Sequence, residues 1–247
     1  MDRTKIVATI GPSSFDAKVL RQMIIQGMDV ARLNFSHGTR EKNRETIRTL
    51  RKLSRSLDSL LAILADTKGP EIRISPLKKG SLFMEKGEKG RLVVKKDIPG
   101  KNTIISDYSE LPRYLNKGDK LLVGDGEMEL EVRSVKPDFI DFKALNTGEI
   151  GQNKGLNLPG IKLPLKTITE KDEDDIEFAL DQDLDWLALS FVRSAEDIKD
   201  ARGIIRSSKH QNEDEIGIIA KIETREALEN INSILDEADG MMVARGD

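Results

Sequence analysis

The sequence predicts an α/β chain: an incomplete TIM-type (β/α) barrel, about six of eight strands, with an all-β, barrel-like lid domain inserted into it. Three observations carry this expectation. From Thr4 onward, short β-branched or apolar runs alternate with segments of helical periodicity, the pattern of a parallel sheet with helical crossovers. One central stretch abandons that rhythm for turn-rich, period-two alternation. Charged and polar residues gather at the carboxyl ends of the apolar runs, where a barrel of this kind builds its active site.

Taken in order, the apolar runs are KIVATI, MDVARLNF, LLAILAD, WLALSF, IGIIAKI and GMMVA. Val19, Leu20, Met23 and Ile24 mark an amphipathic helix after the first, and Ile47, Leu50, Leu53 and Leu57 another after the second. Ala227, Leu228, Ile231, Ile234 and Leu235 predict one further helix after the fifth. At Thr169, TEKD followed by Ile176, Ala179 and Leu180 reads as an N-cap with an acidic first turn. The acidic run EKDEDD from Glu170 is assigned to a solvated helix start that complements the helix dipole, and Trp186 to the core.

Ser75 to Gly160 interrupts the alternation with repeated Lys-Gly and Asp-Gly turns. In EMELEV, Met128, Leu130 and Val132 alternate with Glu127, Glu129 and Glu131, as in a half-buried antiparallel strand. The expected domains are therefore 1–74, the first part of the barrel, 75–160, the inserted β lid, and 161–247, the second part of the barrel. Removing the insert leaves about 160 residues, whereas eight units need about 250, at roughly 30 each.

Forty basic residues nearly cancel 43 acidic ones to give a net charge of -3, so no global field recruits nucleic acid or a membrane. The absence of cysteine excludes disulfides, zinc–thiolate sites and thiol nucleophiles, and two histidines make a histidine-rich metal centre a poor reading. In MDRTKIVATIGP the apolar run is too short for a signal sequence or a span, so a cytoplasmic protein is expected.

The run ends narrow the chemistry. Arg32, Asn34 and Ser36 alternate at the end of the second, Asp66 and Thr67 end the third, and Ser190 follows the fourth. Lys221 and Glu223 end the fifth, Arg245 and Asp247 the sixth. Residues two apart on a strand share a face, so each pair can aim one way. Glu223 and Asp247, with no imidazole or thiol nearby in sequence, suit a hard, oxygen-ligated cation such as Mg2+. Arg32 and Lys221 add the guanidinium and ammonium that clamp a transferring phosphoryl group. Asn34, Ser36, Asp66 and Thr67 offer oxygens to a second cation. Blander readings stand beside these: Lys221 and Glu223 as a cross-strand ion pair, and the Asn34 group as side chains satisfying loop backbone. His37 is read as a packing or hydrogen-bonding residue rather than a base. Arg245-Gly246-Asp247 ends a strand and is not read as an adhesion tripeptide.

TKIVATIGPSS, GMDVARLNFSHG, ADTKGPEIR, KGLNLPG, LSFVRS, IIAKIE and DGMMVARGD together resemble the successive signature blocks of the pyruvate kinase family, over the whole chain. The resemblance implies phosphoryl transfer from phosphoenolpyruvate to ADP, giving pyruvate and ATP, with Mg2+ (or Mn2+) and K+ as cofactors. It implies that Lys221 neutralises the phosphoryl group in flight, that Arg32 holds the substrate phosphate, and that Gly246 and Asp247 approach the substrate. Glu223 and Asp247 would bind the divalent metal, and Asn34, Ser36, Asp66 and Thr67 would bind K+. Arg73, Lys154, Asn34 and His37 are placed by it on the nucleotide side. Glu71 implies a K+-dependent form. Family members continue beyond this aspartate with two more strands, a protonation threonine and a C-terminal domain, and assemble as homotetramers. The sequence is thus expected to be a segment that is inactive alone. Two alternatives remain: a non-catalytic or split component needing a partner chain, and another Mg-dependent, enolate-handling barrel enzyme.

Overall fold

The computed structural model describes residues 4–77, 80–95, 100–124, 126–161, 163–209 and 216–244. In chain order the elements are β1 (Ile6–Ile10), α1 (Ala17–Ile25), β2 (Met28–Asn34), α2 (Arg40–Ser56), β3 (Ala62–Asp66), β4 (Ser81–Met84), β5 (Lys89–Val93) and β6 (Thr103–Ile105). There follow β7 (Lys120–Val123), β8 (Met128–Lys136), β9 (Phe139–Ala144), β10 (Gly148–Gly151) and β11 (Leu156–Asn157). The last part holds α3 (Glu170–Asp181), β12 (Trp186–Leu189), α4 (Ala195–Ser207), β13 (Gly217–Ile222), α5 (Arg225–Glu229), α6 (Ile231–Glu237) and β14 (Gly240–Val243). Two compact units result, one from Met1–Pro70 with Lys166–Arg245, the other built on Glu71–Leu165.

The first unit is an incomplete (β/α) barrel. Its sheet runs β1-β2-β3-β12-β13-β14, every neighbouring pair parallel. The order never reverses, so right-handed crossovers set all helices on one face. On that face Ala31, Leu33, Ile63, Ala65, Leu187, Leu189, Ile218 and Ala220 pack with Leu20, Ile24, Ile47 and Leu50 of α1 and α2 in one buried cluster. Burial of this kind contributes about 25 cal/mol per Å² of apolar surface removed from water. Of the predicted apolar faces of α1 and α2, Leu20, Ile24, Ile47 and Leu50 are buried, Met23, Leu53 and Leu57 are half-buried, and Val19 is exposed. The two outer strands keep Ile6, Val7, Met241 and Val243 exposed.

Three sequence expectations change in this unit. The single helix expected across 227–235 is two, broken at Asn230, whose side-chain amide donates to the Arg193 carbonyl at 2.9 Å. Leu228 and Leu235 are consequently exposed while Ala227 and Ile234 are buried. The acidic start of α3 is only partly solvated: Asp172 and Asp175 are buried. Thr169 caps α3 as expected, its side chain accepting from Asp172 N while Asp172 Oδ2 accepts from Thr169 N at 2.9 Å. Asp172 Oδ1 also accepts from the amides of Lys68 and Gly69, both at 3.0 Å, so it fixes the turn after β3. Trp186 is half-buried, its ring lying over Gly217, where a Cβ would stand 2.4 Å from the ring.

Among its described residues the second unit is all-β apart from a short 3-10 turn at Leu111–Arg113. It pairs β10 with β4 antiparallel and forms a six-stranded sheet, β11-β7-β8-β9-β5-β6, antiparallel except between β5 and β6. Met128, Leu130 and Val132 of β8 are buried, as the alternation in EMELEV predicts, in a core with Phe142, Ile140, Leu92 and Leu121.

Candidate active site

Successive residues on a strand face opposite ways, so the residues that alternate with the helix-facing apolar ones point to the other side of the first unit's sheet. At the carboxyl ends of β2, β3 and β13 these are Arg32, Asp66 and Lys221. The register brings them abreast: Arg32 lies beside Thr9 on one side and Leu64 on the other, and Asn34 beside Asp66.

Asp66 is the hub. Its side chain is 1% exposed and takes Arg32 Nε on Oδ2 at 2.6 Å, with an ion pair to Lys221 Nζ from Oδ1 at 3.1 Å. Lys221 Nζ makes two more contacts, with Glu223 Oε1 at 2.9 Å and Ser190 Oγ at 2.7 Å. Three oxygens thus surround the ammonium. Burial alone lowers the Lys221 pKa, but the Asp66 and Glu223 carboxylates outweigh it, and the group sits above its ordinary value. Lys221 is therefore a fixed positive charge, not a proton shuttle.

Hydrogen bonds hold these groups in place. Ser190 Oγ donates to the Thr67 carbonyl at 2.6 Å, and Ser190 N donates to Thr67 Oγ1 at 3.1 Å, stitching the ends of β3 and β12 together. Glu223 Oε2 accepts from Phe191 N at 2.7 Å. Phe191 has φ +56°, an uncommon conformation for an aromatic residue and one that occurs at functional turns. Its ring lies against Gly69, at φ +66°, where a Cβ would stand 2.8 Å from Phe191 Cδ2. Arg32 Nη1 donates to Thr9 Oγ1 at 2.7 Å.

The family model for the pyruvate kinase barrel domain matches residues 1–247. The chain belongs to the pyruvate kinase family. It is 44% identical over 250 residues to a pyruvate kinase of Staphylococcus epidermidis, 42% over 249 to one of Staphylococcus saprophyticus and 41% over 250 to one of Staphylococcus aureus. Each match covers all of this chain and 42% of the relative, so the chain spans less than half the length of the pyruvate kinases it matches.

Of the residues singled out by the pyruvate kinase resemblance, the structure brings Arg32, Asp66, Lys221 and Glu223 into one network, with Thr67 bonded to it through Ser190. Asn34 Oδ1 accepts from Ser36 N at 2.9 Å, so it satisfies loop backbone. His37 is exposed in the same turn, its backbone N–H donating to the Asn34 carbonyl at 3.4 Å. Gly246 and Asp247 lie outside the described residues.

Arg73 and Lys154 belong to the second unit, on two segments joined by the bridge of Arg73 with Gly155 and by Ile74 N donating to the Lys154 carbonyl. Each is tied to a carboxylate there: Arg73 Nε to Glu71 Oε2 at 2.7 Å, and Lys154 Nζ to Glu127 Oε2 at 3.0 Å.

Sequence reasoning missed three contributors. Thr9 sits at the end of the first apolar run, and the two-residue alternation that found Arg32 extends to it. Asp172 hides within an acidic run that looks solvated. The Phe191 amide has no side-chain signature at all.

The donors fit the cations the family implies. They are carboxylate, amide and hydroxyl oxygens without imidazole or thiolate, the ligand chemistry of Mg2+, Mn2+ and K+. Among the described residues no group of three Asp, Glu or His side chains is placed to hold a metal ion; of the expected divalent pair Glu223 is described and Asp247 lies outside the described residues.

Proposed function

We propose that this chain carries the phosphoryl-transfer site of a pyruvate kinase that moves the phosphoryl group of phosphoenolpyruvate to ADP. The observation that supports this reading is Lys221. The residue is 8% exposed, and its ammonium is held by two carboxylates and a hydroxyl and kept charged at the carboxyl edge of a parallel sheet. A preorganised cation in a site shielded from water stabilises charge that develops on a transferring phosphoryl group, because it needs no reorganisation when the reaction occurs.

On this reading Lys221 meets the phosphoryl oxygens, and Arg32, anchored by Asp66 and Thr9, holds the substrate phosphate with its planar fork. Glu223 and Asp247 would hold Mg2+ or Mn2+, and Asn34, Ser36, Asp66 and Thr67 would hold K+. When bound, these ions neutralise phosphate and carboxylate charge. Arg73, Lys154, Asn34 and His37 serve the nucleotide, and Gly246 the substrate, with Glu71 marking a K+-dependent form. The setting is glycolytic and cytoplasmic, and among the described residues no helix is long and apolar enough to cross a membrane. The exposed outer strands β1 and β14 are expected to need further strands before turnover occurs, so the six-stranded sheet alone is assigned no activity.

The test joins this chain to the remainder of the S. epidermidis pyruvate kinase, in place of the matched segment. Pyruvate formation from phosphoenolpyruvate and ADP is then followed with and without K+. The reading expects K+-dependent turnover that Lys221→Met abolishes. A folded chimera that makes no pyruvate contradicts it.

A further inference from the structure

The most basic element of the chain lies away from the strand-end site. Helix α2 carries seven basic side chains against two carboxylates, Glu41 and Glu45, in a protein whose net charge is -3. Its apolar side, Ile47 and Leu50, packs on the helix-facing side of the sheet, opposite the face that bears Arg32 and Lys221.

Four of the seven cations have partners that explain them. Arg40 pairs with Asp174 at 3.5 Å, Lys42 with Glu45 at 2.9 Å, and Arg44 with Asp181 at 3.8 Å. Arg51 reaches Asp185 at 3.0 Å and the Asp183 carbonyl at 2.5 Å, clasping the segment after α3. Arg48, Lys52 and Arg55 are different. They are exposed and make no ion pair or side-chain hydrogen bond with any other described residue. Their spacing of four and then three residues puts them on one face, spread over about 10 Å of helix. Proximity to the helix C-terminus accounts for Arg55, in the last turn, but not for Arg48 or Lys52.

These three side chains line a groove of about 640 Å³ between α2 and the end of α3, together with Ile47, Arg51 and Ser56. Two carboxylates, Asp181 and Asp183, border it, and Asp181 pairs with Arg44 at 3.8 Å. We propose that this groove is a binding site for a small molecule carrying two or more phosphate groups.

The chemistry selects that class. Guanidinium groups recognise phosphate through paired N–H donors, and three cations along one line suit charge that is extended rather than a single point. The volume is that of a small-molecule site, and among the described residues no aromatic side chain lines it to stack a base, which argues against single-stranded nucleic acid.

The experiment titrates inorganic tripolyphosphate into the 247-residue chain by calorimetry at low ionic strength, with sulfate as the single-anion comparison. Because the strand-end site also offers cations, the decisive comparison is between wild type and Arg48→Ala/Lys52→Ala/Arg55→Ala. The proposal expects that variant to lose one binding event, or to bind it at least about tenfold more weakly, with an unchanged unfolding midpoint. It expects Arg48→Lys/Arg55→Lys to bind with intermediate affinity, and sulfate to bind more weakly than tripolyphosphate. Should the triple variant unfold, Lys52→Glu alone carries the same expectation. Equal tripolyphosphate binding by wild type and variant, no binding to wild type, or sulfate binding as tight as tripolyphosphate would each overturn the proposal.

Discussion

Replacing Lys221 with Met keeps a side chain of similar length while deleting the charge, and the structure sets the cost. The substitution removes contacts of 2.7, 2.9 and 3.1 Å and takes the Lys221 ammonium away from the Glu223 carboxylate, which is 1% exposed. Asp66, equally buried, keeps Arg32 as its one cation among the described residues. Taking one partner from a buried ion pair costs about 3–5 kcal/mol, because the remaining charge stays desolvated. In a domain of this size each kcal/mol shifts the midpoint by about 2–4 °C, so a fall of about 6–20 °C is expected. Trp186, the one tryptophan, opens β12 beside β13, so its fluorescence reports on the first unit even if the second unfolds separately. Adding Glu223→Gln should restore part of the loss, with a coupling of about 0.5–3 kcal/mol. A loss below about 1 kcal/mol, or strict additivity in the double variant, would refute the claim that Lys221 neutralises a buried acidic pair.

Three further outcomes follow from the same geometry. Gly69→Ala forces a Cβ to within 2.8 Å of the Phe191 ring at φ +66°, and should cost about 1–3 kcal/mol in urea unfolding followed at Trp186. Asp172→Ala removes the acceptor of Lys68 N, Gly69 N and Thr169 N and should lower stability by about 2 kcal/mol or more, with Asp172→Asn milder; equal stability of the alanine variant would contradict its anchoring role. Burial raises the Asp175 pKa above 3.8 despite its ion pair with Lys171, so the folded state binds that proton more tightly than the unfolded one. Its contribution is then complete below pH 3.8 and declines as pH rises through the folded value. The stability of wild type relative to Asp175→Asn should fall from about pH 4 toward neutrality.

Much of the barrel was legible because the strands of a parallel sheet are written as short apolar runs, and all six runs became strands. Arg32, Asp66, Lys221 and Glu223 were legible for a related reason: polar residues that interrupt such runs near their ends have few places to point but the rim. The break at Asn230 was not, because the apolar spacing across 227–235 suits one helix and only a tertiary bond to the Arg193 carbonyl overrides it. Asp172 was misread because an acid in a first helical turn looks like a partner for the dipole. Its burial depends on the turn after β3, some 100 residues away, donating two amides to it. The positive φ of Phe191 is a backbone property with no composition signal, and its amide is what orients Glu223.

The central claim is that Lys221 is the fixed cation of a phosphoryl-transfer site, and the most direct measurement is the turnover number of the folded chimera with Lys or Met at position 221. With saturating phosphoenolpyruvate, ADP, Mg2+ and K+, Lys221→Met should lower kcat by at least about a hundredfold, the scale on which one preorganised charge stabilises a transition state. A folded Lys221→Met chimera that retains the parent turnover number would contradict the account.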